Sequence, residues 1–179
     1  MFSDITYMML MHAGWNYGRT TNPNRWIEQL TTAGYATFPA LTAVLTQLGG
    51  LEIDTAPFHQ HTFSLTTGSQ AILEDFRSSI RITFLPEHAE AFNQALIWRS
   101  LAYVQTYQLD IVPFGSLHYP HKSICSLCML SDGRIFRGEW IGRSRFSTEE
   151  PFPVLAFLGN TVEDALNTIF QDYILYIIR

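Results

Sequence analysis

Cysteine is almost missing from this chain. Its 179 residues hold two, Cys125 and Cys128, too few for the disulfide framework of a small secreted scaffold. A chain of this length buries a core without such staples, so reduced thiols in a cytosol are the expectation. Charge is also sparse, at 15% of residues, and its balance is acidic: 11 Lys and Arg against 16 Asp and Glu give a formal charge of −5. A surface short of cations suits a phosphate backbone poorly, so nucleic acid is not an expected partner and basic or neutral partners are favoured. Long apolar runs are missing too. The most tempting, Tyr173 to Ile178, is six residues long, against the roughly 18 or more that a membrane-crossing helix needs. The stretch from Met1 to Met11 is apolar but holds Asp4, lacks a basic start and leads into Ala13-Gly14-Trp15, so export is not expected. No repeat, charge block or Pro/Gly/Ser-rich linker divides the chain, and a single domain over residues 1–179 is the simplest organisation.

What is present is a 47% hydrophobic sequence whose apolar period changes partway along. The first third predicts three short helices. Gly14 stops the first. Asn22-Pro23 supplies a cap and a first-turn proline for the second, which carries Trp26, Ile27 and Leu30 on one face and ends at Gly34. Pro39 opens the third, Leu41, Val44, Leu45 and Leu48 give it an apolar stripe, and Gly49-Gly50 breaks it by permitting positive φ.

Beyond the glycines the period becomes two. Leu51 and Ile53 alternate with Glu52 and Asp54, and Phe63 and Leu65 alternate with Thr62, Ser64 and Thr66, which predicts half-buried strands. A short helix over Ser69 to Phe76, a strand over Arg81 to Leu85 and a longer helix from Pro86-Glu87, bearing Ala89, Phe92, Leu96, Tyr103 and Tyr107, are expected next. Asp110 to Phe114 reads as a strand. The strongest β signal lies between Ile124 and Trp140, where two apolar runs flank Ser131-Asp132-Gly133-Arg134, a tight hairpin turn. A last helix opens at Thr161, whose hydroxyl can cap while Asp164 reaches back, and buries Val162, Ala165, Leu166, Ile169, Tyr173 and Ile177. Ile174, Leu175 and Ile178 lie off that stripe and suit a groove of the same domain or a partner face.

Chemistry-bearing residues are few. His118, His121, Cys125 and Cys128 have metal-ligand types and spacing, but Ile124 to Leu130 reads as a strand, where residues three apart face opposite ways. Structural cysteines are therefore expected rather than a zinc or redox site. His59-Gln60-His61 and Glu149-Glu150 read as solvated loops. No serine lies in a nucleophile elbow, and Gly49-Gly50 lacks the lysine of a phosphate-binding loop, so no catalytic group is assigned and no enzyme is expected.

Three pieces occur in fixed order: Ala13-Gly14-Trp15 with Gly18-Arg19; Phe38-Pro39-Ala40 through Leu48-Gly49-Gly50-Leu51; and Pro113-Phe114-Gly115, Asp132-Gly133-Arg134 and Leu158-Gly159 with Ala165-Leu166. This order resembles the SUKH superfamily and, within it, the third SUKH subfamily of small bacterial proteins, from about Ala13 to Phe170. Its most specific parts are the Ala-Gly-Trp…Gly-Arg opening and the Leu-Gly-Gly-Leu turn, and residues Gly68 to Gln108 carry none of its motifs. The resemblance implies an α+β fold, a twisted, largely antiparallel sheet with helices packed around it. It also implies a cytoplasmic immunity protein that binds and blocks a polymorphic toxin, with no cofactor and no catalysis. Gly14, Phe38, Pro39, Gly49, Gly50, Pro113, Gly115, Asp132, Gly133 and Gly159 are then structural signature positions. A basic nuclease-type toxin domain would be steered toward an acidic chain, although many cytosolic enzymes are equally acidic. Trp15 and Arg19 read either as a surface anchor or, more simply, as core packing with loop support; Glu52, Asp54 and Glu139 are candidate acidic contacts. The rival readings are a non-toxin interaction module of the same fold and a small metal- or thiol-dependent enzyme on His118, His121, Cys125 and Cys128.

Overall fold

A computed structural model describes residues 1–55, 80–84, 104–105, 108–119, 124–141 and 152–178. Three short helices come first: α1 (Asp4–His12), α2 (Asn24–Thr32) and α3 (Pro39–Leu48). They precede β1 (Glu52–Asp54), β2 (Arg81–Thr83), β3 (Ile111–His118), β4 (Cys125–Leu130), β5 (Ile135–Ile141) and β6 (Phe152–Gly159), and α4 (Val162–Ile178) closes the described chain. The strands form one six-stranded sheet in the order of the chain, with every neighbouring pair antiparallel. The α+β class and the helical first third agree with the sequence reading. The expected strand at Phe63 and Leu65 and the helices over Ser69 to Phe76 and from Pro86 lie outside the described residues, apart from short pieces at 104–105 and 108.

Each helix forms where its punctuation allows. In α1 the Ser3 hydroxyl accepts the Thr6 N–H at 3.2 Å, and the helix ends before Gly14. Proline occupies the cap position of α2 rather than its first turn: Pro23 precedes Asn24, and the Asn22 side chain accepts the Asn24 N–H at 3.0 Å. The buried stripe of α3 is Leu41, Val44, Leu45 and Leu48, as its spacing predicts. The break after it differs from expectation, because only Gly50 has positive φ, at 75°. Gly49 (φ −52°) is glycine for space, since a Cβ there would strike the Leu45 carbonyl and the Trp26 ring. In α4 the Thr161 hydroxyl accepts the Asp164 N–H at 3.1 Å, and Phe170 joins Ala165, Leu166 and Ile169 in the core.

The middle of the sheet is more deeply buried than alternation suggests. Every residue from Ile111 to Leu117 and from Cys125 to Leu130 is buried, so both faces of β3 and β4 are covered. Helix α4 packs on β6 and β5 and meets α1. Pro113 sits inside β3 opposite Cys128, at a position whose backbone groups turn away from β4, so its missing N–H costs that pairing no bond. The register shifts between Pro113 and Gly115, leaving Phe114 as the extra residue of a bulge, its ring stacked on Phe84. Gly115 is required beside it, because a Cβ would press into the Thr83 carbonyl of the adjacent strand.

The hairpin turns where expected but with three loop residues instead of two. The Gly133 N–H donates to the Leu130 carbonyl at 2.8 Å and the Leu130 N–H to the Arg134 carbonyl at 2.9 Å, and only Gly133 takes positive φ, at 93°. Strand β6 is an element that sequence reasoning missed. Its run Val154 to Leu158 is apolar without alternation, and prolines at 151 and 153 masked its start.

Two outcomes follow. Gly115→Ala is expected to cost about 2–3 kcal/mol, since the methyl enters packed backbone. Gly133→Ala, which meets open space and only an unfavourable φ, should cost about 1 kcal/mol; equal losses in urea unfolding would contradict the distinction. The Arg134 guanidinium, 2.6 Å from Asp132, holds that carboxyl below its ordinary pKa. A depressed carboxylate contributes stability above its unfolded pKa and loses it as pH falls through the folded pKa. Asp132→Asn is therefore expected to be less stable than the parent at neutral pH, with the gap closing in acid, as read by thermal unfolding across a pH series.

Candidate partner-binding surface

Two surfaces hold three of the residues singled out above, Arg19 on one and Glu52 and Asp54 on the other. The first is an open groove of about 720 Å³ on the helical third, lined by Tyr17, Arg19, Thr20, Thr37, Phe38, Pro39, Thr42, Ala43, Thr46 and Gln47. Arg19 is its one charged lining residue. Its Nη2 donates to the Gly49 carbonyl at 2.8 Å, which ties the loop after α1 to the turn after α3. Trp15 is not a surface anchor: it is 6% exposed and meets Phe2 and Tyr7 edge-on. The exposed aromatic of this groove is Tyr17, 81% accessible, its ring centroid 5.1 Å from that of Trp15. Sequence reasoning passed over Tyr17, and no periodic signal marks it, because it lies in a loop.

The second surface is the β1 edge of the sheet. Glu52 and Asp54 share one guanidinium: Arg81 Nε lies 3.0 Å from Glu52 and its Nη2 3.2 Å from Asp54. All three side chains are part-exposed, so the pairing adds less than about 1 kcal/mol to stability and leaves a net negative edge. Register extends this edge inward. Glu52, Thr83, Ser116, Ser126 and Gly138 form one row across five strands, and Asp54, Arg81 and His118 form the next on the same face. Thr83 and Ser116 are buried and bond each other through their hydroxyls, and Ser116 Oγ lies 3.2 Å from His118 Nε2. The buried Thr83 and Ser116 hydroxyls thus answer each other. The opposite face is apolar at the same positions, with Ile53, Ile82, Leu117 and Cys125 in register, and its cation Arg137 donates to the Tyr119 hydroxyl at 2.6 Å. Glu139 belongs to β5, opposite Val154, away from β1.

The residues of metal-ligand type are not drawn together. Cys125 pairs with Leu117 and Cys128 with Pro113, which puts the two sulfurs on opposite faces of β4, while His118 shares the face of Cys128. Among the described residues no group of three His, Cys, Asp or Glu side chains could hold a metal ion; His121 lies outside them. Burial pushes the Cys128 thiol well above its ordinary pKa, where the reactive thiolate is scarce. Of the signature positions, Phe38 and Pro39 wall the groove, Pro113 and Gly115 flank the bulge, and a Cβ at Gly159 would collide with Asp164 and Ala165.

The fold defines an α+β protein built on a single antiparallel meander with a helical amino-terminal layer. The family model described as SUKH-3 immunity protein matches residues 2–172, and the chain belongs to that family. The match extends beyond the motifs at both ends and spans Gly68 to Gln108, where they are silent. No curated protein and no solved structure matches the chain. Among the described residues no helix is long and apolar enough to cross a membrane.

Both thiols, 5% and 0% exposed, are expected to resist a maleimide in the native protein and to react promptly once it is denatured. Prompt native labelling of either would contradict their burial.

Proposed function

We propose that this chain is a single-domain cytoplasmic immunity protein that binds a cognate toxin domain one-to-one and blocks it without turnover of any substrate. The observation that carries the reading is the family match over residues 2–172. The acidic balance supports a basic toxin, a nuclease type being one chemistry that fits, since opposite charge speeds encounter. The β1 edge is the preferred contact: Glu52 and Asp54 hold one guanidinium between them, and a toxin arginine can enter the same arrangement. Arg19 and Tyr17 in the groove, and Glu139 on β5, are further contact candidates. The metal- or thiol-enzyme reading loses its support when Cys125 and Cys128 occupy opposite faces, and no cofactor is part of the proposal.

The decisive experiment is a co-expression growth assay paired with a pull-down, using the toxin domain encoded beside this chain. Rescue and stoichiometric capture are expected; failure of both leaves a general interaction module as the better reading. Glu52→Lys and Asp54→Lys should slow association roughly tenfold at low salt and flatten its salt dependence, with little change in dissociation. A faster dissociation with unchanged association would place these residues in the buried contact instead of the steering field.

A further inference from the structure

The two outer strands of the sheet, among the described residues, differ in what controls strand addition. β1 is three residues long and bears Glu52 and Asp54, charges that discourage an incoming strand. β6 runs eight residues, Phe152 to Gly159, without one charged side chain. Its Phe157 is 54% exposed, with its ring edge-on to Phe136.

The main-chain phase of β6 follows from the hairpin. Leu130 exchanges its polar groups with the turn and Arg134, so it points them at β5. Alternation turns Cys128 and Ser126 toward Phe136 and Gly138 in the same way, and therefore turns Arg137 and Glu139 toward β6. Ala156 and Val154 pair with these two, which leaves Pro153, Leu155 and Phe157 with their backbone groups directed outward. The proline agrees independently: the position without an N–H falls on the outer side, where prolines are tolerated in edge strands.

We propose that β6 is a dimerisation edge that accepts β6 of a second copy of this chain, antiparallel, about a two-fold axis at Ala156. In that register Leu155 of each copy lies opposite Phe157 of the other, and each such pair exchanges both of its N–H···O bonds. The axis passes between two small side chains, those of the paired Ala156 residues, and the exposed Phe157 gains an apolar neighbour. A symmetric interface needs a surface complementary to itself, and a chargeless strand with Leu155 and Phe157 on either side of its midpoint is one. The second copy is favoured over a toxin strand because this complementarity is already present in the chain.

Sedimentation over a concentration series, together with amide hydrogen exchange, tests the proposal. A monomer–dimer equilibrium with a roughly micromolar dissociation constant is expected, as strand pairing makes a small interface. The Leu155 and Phe157 amides should be protected in the concentrated protein and exchange on dilution. Leu155→Lys/Phe157→Lys sets ammonium groups directly opposite each other and should weaken the dimer at least about tenfold. Leu155→Lys/Phe157→Glu, which sets opposite charges at the same places, should retain it. Should either variant fail to fold, the exchange of the unmodified chain decides. A chain monomeric at every concentration, a dimer indifferent to the two lysines, or protection that appears only when the toxin domain is added overturns the proposal, the last by giving the edge to the toxin.

Discussion

Strands β3 and β4 pair with both of their faces covered, and that constraint reaches most of the structure. A strand closed to water on every side must satisfy its backbone through two neighbouring strands and its polar side chains through one another. Ser116 does so with Thr83 and His118. The ladder shifts between Pro113 and Gly115, Phe114 is extruded onto Phe84, and Gly115 lets the Thr83 carbonyl approach. The Pro-Phe-Gly motif thus marks the bulge of a strand buried on both faces.

Charge is pushed outward by the same burial. The central strands carry no Asp, Glu, Lys or Arg over Ile111 to Leu117 and Cys125 to Leu130, and the ion pairs among the described residues lie at the β1 edge, at the hairpin tip and at the amino terminus. An immunity protein must meet its target with a surface that its own core does not need. The Glu52–Arg81–Asp54 edge is a surface of that kind, since its exposed pairing contributes little to stability, whereas the groove beside Arg19 is fixed by the Arg19 bond to Gly49 and by the Thr21 bonds to Leu45 and Thr46. Changes at the β1 edge are therefore expected to cost little stability.

Local signals were legible where local physics decides. Helix α3 was readable to its ends because Pro39 and the glycine pair bracket one apolar stripe, and the hairpin because Asp132-Gly133 separates two apolar runs. Strand β6 was not, since a run without alternation does not declare its period and proline argues against a strand until the edge position is known. The candidate site was half legible. Glu52 and Asp54 were visible as the polar face of a short strand, but Arg81, 27 residues beyond Asp54, meets them only through the register of β1 with β2. Trp15 was open to two readings because a tryptophan after a helix-ending glycine can point either way; the Phe2 and Tyr7 rings closing on it decide for the core.

By itself, then, the sequence determined the helical first third, the hairpin, the α+β class and, through its ordered motifs, the family. These depend on interactions between residues close in the chain or on pattern alone. Tertiary structure decided which faces of the sheet are covered, which carboxylates share a cation, that the two cysteines point apart, and that the chargeless β6 is an outer strand among the described residues. Each of these depends on strand register, and register is set by long-range pairing: a slip of one residue would turn every side chain of a strand to the other face, and no local stretch of sequence records which alignment wins.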